Sequence, residues 1–558
     1  MLLDSRHLRV EHSACFCPAL ALFGGVTFGS GMAGFSFPGM TNAGYAVMGC
    51  HMNRSKALSL LPVLLLAALS LAACSGPKTG TICISNCGGT GTVSLTMVAD
   101  TLPANPSLVT FKVTITGIAL VTSGGTQQAL SLNGSPVVDL MRLQSDTLFL
   151  GTFANIPANQ YTGVIVSFSN PVLTFFNDTP NPLQGCPPAS GCPQVSLSAF
   201  GTSQANVTFS VASTAAAGVG IDLNLSNLLS ISSSGTSLVV NFASTNVLSA
   251  FTLPRAGSNL SSGQLDLIED FTGVASVNNP AVTITSATVT TRGSLTATAT
   301  ANTILNADPS GTLCANPTPG QVATCVSSNQ AASMDVILKS DGTLSIQEIE
   351  PLLATVQDTV EGSVVSISTP SQFMMIVTDL IPAAQNTLIG SLKIGDALVV
   401  NLAANPTFFV DTKGLSVLPG VLNNFATQNN TTAMHLGQSV AAHVAAFTAA
   451  SGSTNASASN TDTVTLRWSR FTATPQTPSS PAFNIVGVPS YFGFTPSSMF
   501  VVQTATGTPG TLGVTNFDGV TDASGLSNGR PVALRALFLE NTANSANPAF
   551  TAAKVRQH

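Results

Sequence analysis

The stretch GTVSLTMVADTLPANPSLVTFKVTITGIAL, residues 91–120, decides the fold class. Apolar residues alternate with Ser and Thr at 93–97, and an apolar/polar alternation returns at 111–115. A period of two places all the apolar side chains on one face of a β-strand. Because the same pattern recurs at 207–211, we predict an antiparallel β-sandwich of about seven to nine strands over residues 91–252.

The rest of the chain repeats a short phrase. Leu, then Gly, then an apolar strand occurs at 392–400, 436–440 and 526–534, and two further strands open alike at 271–277 and 360–367. Such self-similarity is typical of repeated modules. We therefore predict an all-β chain in which the sandwich is followed by about three small β-barrel or sandwich modules. The predicted modules are 268–356, 357–471 and 472–558.

Three local patterns give sharper expectations. Ser340-Asp341-Gly342 lies between two apolar runs and is typical of a β-hairpin turn. The alanine-rich stretch 440–450 favours a helix by propensity, whereas the repeat phrase favours a strand. Trp468, the sole tryptophan, stands on the apolar side of a predicted strand, where core packing is expected.

Residues 91–120 and 137–168 also resemble an uncharacterised domain found at the N-terminus of many bacterial envelope lipoproteins. The shared features are the opening strand, the strand end VDL at 138–140, and the corner IPANQY at 156–161, where Asn159 replaces the usual Gly. The resemblance implies a prealbumin-like or carboxypeptidase-regulatory-like sandwich without catalytic residues, and it brings no known activity. The downstream phrases are similar to small barrel repeats of exported bacterial proteins, which are also uncharacterised.

The segment after Met52 has the layout of a secretory signal peptide. Arg54 and Lys56 precede an apolar run of about 14 residues that ends in Leu-Ala-Ala-Cys at 71–74. This end resembles the lipobox of bacterial lipoproteins, which implies that the Cys74 thiol is lipidated and that Cys74 begins the mature chain. Several acyl chains on one cysteine attach a protein durably to a membrane. A transmembrane anchor is disfavoured because it needs roughly 20 apolar residues.

The lipobox resemblance also organises the N-terminal region. Ser75 stands where an aspartate would retain a lipoprotein in the inner membrane, so the cell envelope, and its outer membrane in particular, is the expected location. Because a signal peptide acts at the start of a chain, translation is expected to begin at Met52. The predicted segments are a non-native N-terminal extension at 1–51, the signal peptide at 52–73 and a lipidated tether at 74–90.

Six cysteines remain once Cys74 and the three upstream cysteines are set aside. An exported protein meets an oxidising environment, so these six are expected to form disulfides. Bridges between sequence neighbours are the simplest pairing, and zinc binding is disfavoured because no pair has C-x-x-C spacing. The candidates are Cys83 with Cys87, Cys186 with Cys192, and Cys314 with Cys325.

Charged residues are scarce and predominantly acidic. They make up 8% of the chain, and the formal net charge is −6, whereas about a quarter of a typical chain is charged. Nucleic acid is not expected as a partner, because phosphates are bound by a basic face. Glu348 and Glu350, and the cluster of Asp266, Glu269 and Asp270, are expected on solvated faces or in linkers.

The sequence points to binding or structure rather than to catalysis. His435 and His443 are eight residues apart, which suits no helical zinc pair. Oxygen donors on the Gly-bearing loops 306–311 and 516–524 leave calcium as an alternative to ordinary turns. We expect no catalytic residue, no bound metal and no cofactor.

Aromatic residues near the C-terminal end give the one candidate ligand site. Tyr491, Phe492 and Phe494 flank a glycine, and they form either an exposed stacking patch for sugar or the filling of the last module. The expected function is a non-catalytic, lipid-anchored envelope protein with a binding or spacing role, whose partner is a glycan or another envelope protein. The alternatives are a carbohydrate-binding lipoprotein of a polysaccharide uptake system and a polysaccharide-acting enzyme.

Overall fold

The computed structural model is built mainly of strands. Strands account for 58% and helices for 6%, which confirms the all-β prediction. The predicted signal peptide, Cys74, Cys83 and Cys87 lie outside the described residues. The structure describes residues 88–100, 107–132, 134–285, 293–305, 321–353, 358–381, 387–417, 419–508, 511, 513–540 and 548–557.

Two sheets form the N-terminal sandwich. One has the strand order β12-β9-β1-β5, and the other has β3-β2-β6-β7 with β4 paired to β2 and β8 paired to β6. A one-turn helix, α1 (Leu225–Leu228), precedes the separate pair β10 and β11. The strands are β1 (Thr90–Ala99), β2 (Ser107–Thr122), β3 (Gln127–Leu130), β4 (Val137–Asp139), β5 (Leu148–Pro157), β6 (Asn159–Asn177), β7 (Ser190–Ser196), β8 (Phe200–Val211), β9 (Ala216–Leu223), β10 (Leu229–Ile231), β11 (Leu238–Val240) and β12 (Leu248–Thr252).

The alternating stretches of the sequence supply the sandwich core. The apolar residues at 93–97 on β1 and at 111–115 on β2 belong to one hydrophobic cluster. β1 pairs antiparallel with β5 and parallel with β9. The polar face of β1 is buried as well, because Ser94 bonds to Thr152 (2.9 Å) and Thr152 contacts the Gly342 carbonyl of the following module.

Three barrels follow the sandwich. Their strands are β13 (Gln264–Asn278), β14 (Ala281–Thr285), β15 (Ser294–Thr298), β16 (Ile304–Leu305), β17 (Ala331–Lys339) and β18 (Leu344–Leu353) in the first barrel, β19 (Asp358–Thr369), β20 (Gln372–Ile381), β21 (Ala397–Val410), β22 (Ser439–Val444), β23 (Ala446–Thr448) and β24 (Ala456–Arg467) in the second, and β25 (Ser469–Gln476), β26 (Ala482–Val486), β27 (Phe500–Thr504), β28 (Asn516–Asp518), β29 (Val532–Phe538) and β30 (Phe550–Arg556) in the third.

The three barrels share one topology. Five strands of each barrel close a ring: the first strand pairs with the second and the fourth, the fourth pairs with the fifth, and the third pairs in parallel with the fifth. A short extra strand, β16, β23 or β28, flanks the fifth strand. This is the strand order of the OB-fold, a five-stranded Greek-key barrel. The prediction of repeated small β modules is thereby confirmed.

The hairpin turn at 340–342, the alanine-rich stretch and Trp468 are the three local predictions from the sequence. The turn at 340–342 joins β17 to β18 as predicted, with Gly342 at φ +81°. Residues 439–448 form β22 and β23, so the repeat phrase predicted this region correctly and alanine propensity did not. The helix of the second barrel is instead α2 (Pro419–Ala426), between its third and fourth strands. Trp468 is fully buried in the core of the second barrel.

One predicted disulfide is confirmed. Cys186 and Cys192 are bonded to each other beside β7. Cys325 is also disulfide-bonded, and its predicted partner Cys314 lies outside the described residues.

Candidate functional site

The scarce charged side chains gather where the four modules meet. We call this set the central ion network. It joins eight carboxylates to six cations through contacts of 4 Å or less, and nearly all of these side chains are buried. Its members are Arg142, Asp146, Glu269, Asp270, Asp335, Glu350, Glu361, Asp379, Asp411, Lys413, Arg467, Arg470, Arg535 and Lys554.

The modules contribute charges of different sign. Within this network the first barrel supplies only carboxylates, for example Glu269 and Asp270, and the third barrel supplies only cations, for example Arg535 and Lys554. The second barrel and the sandwich supply both signs. Lys554 Nζ lies 2.5 Å from Glu269 Oε2. The first and third barrels, which are not consecutive in the chain, are therefore joined by complementary charge.

Arg470 makes contact with every other module. From β25 of the third barrel, its Nε lies 2.9 Å from Asp146 Oδ2 of the sandwich. Its Nη2 lies 2.9 Å from Asp270 Oδ2 of the first barrel, and its Nη1 lies 3.4 Å from Glu361 Oε1 of the second. One guanidinium thus fixes the relative positions of three neighbouring elements, since its planar donors can satisfy several carboxylates at once.

Two carboxylates are held firmly in the ionised state. Burial raises the pKa of a carboxyl group, but for Asp146 the guanidiniums of Arg470 and Arg142 outweigh burial and lower the pKa to about 2. The pKa of Asp270 lies well below its usual range, because Arg535 and the other nearby cations likewise outweigh burial. These two aspartates act as fixed negative charges.

Glu350 behaves in the opposite way. Burial and the neighbouring Asp411 raise its pKa well above the usual range despite the contact with Arg467, whose Nη1 lies 3.1 Å from Glu350 Oε1. Burial lowers the pKa of Lys413, but Asp270 and the other nearby carboxylates raise it well above its usual range.

A second arginine attaches a loop of the sandwich to the third barrel. Arg556, on β30, donates from Nη1 to the backbone carbonyls of Leu143, Gln144 and Asp146 at 3.0–3.1 Å. Its Nε donates to Asp518 Oδ2 at 2.6 Å. This loop therefore adopts one conformation, which presents Asp146 to the network and Gln144 to the space beside it.

That space is a cleft of about 480 Å³ between the sandwich and the third barrel. We call it the sandwich–barrel cleft. The sandwich contributes Ser107, Gln144 and Asp178, and the third barrel contributes Tyr491 and Phe494 among others. Interfaces between modules are common places for ligand sites, and the volume falls within the range of about 300–1,000 Å³ typical of small-molecule pockets.

A short hydrogen-bonded chain lines one wall of this cleft. Asp178 Oδ2 accepts from Ser107 Oγ at 2.8 Å and from Ser490 Oγ at 3.2 Å. The Ser490 backbone N–H also donates to Ser107 Oγ, at 3.1 Å. These bonds hold the Ser490–Phe492 turn of the third barrel against β2 and so fix the position of Tyr491.

The three aromatic residues predicted as a ligand site are placed differently from one another. Tyr491 and the half-buried Phe494 both line the sandwich–barrel cleft. Phe492 lies in the core of the third barrel, with ring centroids 5.1 Å from Phe471 and 5.5 Å from Phe538. The module-filling interpretation therefore describes Phe492, whereas ligand binding by Tyr491 and Phe494 stays a prediction.

Four of the five acidic residues expected on solvated faces or in linkers are instead buried, and Asp266 is half-buried. Glu269, Asp270, Glu348 and Glu350 are at most 3% exposed. The expectation was wrong because it treated each charge with its sequence neighbours only, whereas cations from the second and third barrels neutralise these groups.

The histidines and the candidate calcium loop are engaged within the fold. His435 lies near Phe538, with ring centroids 5.8 Å apart, and His443 Nδ1 lies 3.1 Å from Asp462 Oδ1. Asp522 caps a turn by accepting from the Ser524 and Gly525 backbone N–H groups. The other candidate loop, 306–311, lies outside the described residues. Among the residues that the structure describes, no three His, Cys, Asp or Glu side chains are grouped as a metal site requires.

Sequence reasoning overlooked the stretch GLSNG at 525–529, which fits the G-x-S-x-G pattern of hydrolase nucleophiles. That pattern requires a strand followed by a sharp turn and a helix. Here the order is reversed, since the stretch leaves the turn at Ala523–Gly525 and runs into β29. The Ser527 backbone N–H donates to Gln557, so the stretch serves as a turn of the third barrel.

Comparison with known proteins assigns no family to the chain. No protein-family profile and no curated protein matches it. In the part of the chain that the structure covers, none of the helices has the length and apolar character needed to cross a membrane.

Proposed function

We propose that the chain is a non-catalytic, lipid-anchored protein of the bacterial cell envelope whose sandwich and three barrels act together as one binding body. The observation that carries the proposal is the central ion network. An extended spacer requires contacts only between consecutive modules. The network adds contacts between the first and third barrels and between the sandwich and the third barrel, as the pairs of Arg470 with Asp270 and Asp146 illustrate.

Rigidity supports a binding role. A binding surface built from several modules works best when their relative positions are fixed before the ligand arrives, because ordering costs then do not reduce affinity. The buried charges provide that order, since each one costs free energy when its partners move away. We therefore expect calorimetry to show a single cooperative unfolding transition for the described modules. Separate transitions for individual barrels would contradict the one-body proposal.

The lipid anchor is proposed from the sequence around Cys74, and metabolic labelling with radioactive palmitate tests it. The wild-type chain expressed in a bacterium should incorporate the label into the envelope fraction, and Cys74→Ala should abolish incorporation. Cys50→Ala, in the segment predicted to precede the true start, serves as the matched control and should label like the wild type. An unlabelled wild-type chain, or a labelled Cys74→Ala chain, would refute the anchor.

A second candidate function is carbohydrate binding within a polysaccharide uptake system. The observation that favours it is the sandwich–barrel cleft, which combines aromatic rings with hydrogen-bonding side chains. Carbohydrate binding is compatible with the same lipid anchor and the same rigid body. It differs from the first proposal only because it requires a defined small ligand.

A further inference from the structure

We propose that the sandwich–barrel cleft binds a short, neutral saccharide. The inference deepens the proposed binding function and rests on it. It starts from the size and position of the cleft, which has about 480 Å³ of space at the junction of two modules that Arg556 and the central ion network hold in register.

The aromatic part of the lining gives the first argument. Tyr491, Phe471 and Phe494 all border the cleft. Aromatic faces carry negative electrostatic potential, and the C–H bonds on one side of a sugar ring present weak positive potential to such a face. Phe471 and Tyr491 are buried and Phe494 is half-buried, so Phe494 is the ring of this set that offers a surface on which a sugar ring could stack.

The polar part of the lining gives the second argument. Tyr491 is nine-tenths buried, and none of the hydrogen bonds in the described part of the chain includes its hydroxyl. The residue borders the cleft, and a ligand hydroxyl there would give the Tyr491 hydroxyl a hydrogen-bond partner. Burial, and to a smaller extent the nearby Asp139, raise the pKa of Tyr491, so its hydroxyl keeps the proton that it would donate.

Charge decides between neutral and anionic ligands. Among the described residues that border the cleft there is one carboxylate, Asp178, and no lysine or arginine. A carboxylate accepts hydrogen bonds from sugar hydroxyls, and it repels uronic acids, phosphates and sulfates. The lining therefore favours uncharged sugars over acidic ones.

The size of the cleft limits the length of the ligand. A volume of about 480 Å³ lies in the lower half of the range for small-molecule sites, which runs from about 300 to 1,000 Å³. This is room for a disaccharide, and a longer chain would have to extend out of the cleft.

The test uses the full chain as the bacterium produces it, in a detergent that contains no sugar. Maltose, cellobiose, xylobiose and diacetylchitobiose are titrated by calorimetry, with digalacturonate as the anionic comparison. We expect at least one neutral disaccharide to bind with a Kd of about 1 mM or tighter, and digalacturonate to bind at least tenfold more weakly. The proposal is overturned if none of the neutral disaccharides binds, or if digalacturonate binds as tightly as they do.

Variants place the binding in this cleft. Tyr491→Phe removes only the hydroxyl and should weaken binding about fivefold, and Phe494→Ala should weaken it about tenfold. Phe200→Ala is the matched control, because Phe200 is 87% exposed on the sandwich and lies outside the cleft. Its affinity should equal that of the wild type. Thermal denaturation of each variant establishes that it is folded, and the conservative Tyr491→Phe keeps the test decisive if Phe494→Ala unfolds.

The outcomes separate this inference from the proposed function. Wild-type binding that none of the cleft variants alters would refute the cleft as the site. If the protein incorporates palmitate and unfolds as one body but binds no sugar, the saccharide inference fails and the anchored binding body stands. If palmitate incorporation fails while sugar binding follows the variants, the anchor fails and the cleft stands.

Discussion

Arg470→Met removes a side chain that touches all the other modules, and it tests directly whether the central ion network holds them together. The substitution keeps most of the side-chain volume but deletes a charge that lies within 3.4 Å of Asp146, Asp270 and Glu361. Arg470 is only 11% exposed at its side chain, so water cannot replace the lost donors freely. The expected result is a lower free energy of unfolding.

The magnitude follows from the partners that remain. Removing one member of a buried ion pair costs about 3–5 kcal/mol when it leaves the other charge alone. Here Asp146 keeps Arg142 and Glu361 keeps Arg467, so no carboxylate is fully orphaned. We therefore expect about 3 kcal/mol, at the lower end of that range. Urea denaturation followed by the fluorescence of the buried Trp468 measures it.

Two further variants make the result specific. Arg530→Met removes an exposed arginine of the same barrel and should change stability by less than about 0.5 kcal/mol. Adding Asp270→Asn to Arg470→Met restores the charge balance of the network and should recover about 1 kcal/mol of the free energy of unfolding. Asn tolerates the left-handed backbone of residue 270 (φ +48°). If Arg470→Met costs less than about 1 kcal/mol, or costs no more than Arg530→Met, the network does not have the role argued for it.

The remaining predictions concern acid, the disulfide and one glycine. Although burial raises the pKa of Asp146, its arginine partners hold the pKa at about 2. About 2 kcal/mol of stability is therefore present above pH 4 and is lost as the pH falls towards 2. Urea titrations at pH 5 and pH 2.5 measure this loss, and equal midpoints at the two pH values would contradict it. Cys186→Ser opens a short covalent loop and should cost about 2 kcal/mol. In the wild type a reducing agent also opens the bridge of Cys325, so it should lower stability at least as much. Gly437→Ala should cost about 2–4 kcal/mol, because φ is +85° and the new Cβ would lie 2.3 Å from the Phe492 ring. Gly529→Ala, at φ +78° in open space, should cost only about 1 kcal/mol. Equal losses of stability in the two variants would show that the contact of residue 437 with the Phe492 ring does not matter.

The sequence was sufficient for the strands and the repeats, because both depend on local periodicity. The alternation at 93–97 predicted β1, and the phrases at 392–400 and 526–534 predicted small β modules without deciding between barrels and sandwiches. Periodicity did not reveal that the hydroxyl face of β1 would be buried. Ser94 is polar as a solvent-facing residue would be, but the hairpin of the first barrel covers it through Thr152.

The central ion network was hidden from the sequence because its partners come from different modules. Asp270 and Arg470 are 200 residues apart, and nothing local distinguishes a buried aspartate from a solvated one. One signal was available: Asp270, Glu361 and Arg470 all lie on the first strand of their barrels, and the first two lie beside or within the stretches 271–277 and 360–367 that open alike. The chain has few charges, yet each barrel carries one on its first strand. Such a pattern indicates that these strands could meet at a shared interface.

The choice of charged rather than apolar contacts at the centre has a physical reason. Three barrels of identical topology could pack in any order if apolar faces alone held them, since apolar burial is non-directional. Buried charges remove that freedom, because an unpaired one costs several kcal/mol. The first barrel brings only carboxylates to the network and the third only cations, so exchanging their places would set like charges against the second barrel's own. Buried ion pairs are often no more stabilising than an apolar junction. Their role here is to specify the position of each barrel, and with it the position of the sandwich–barrel cleft.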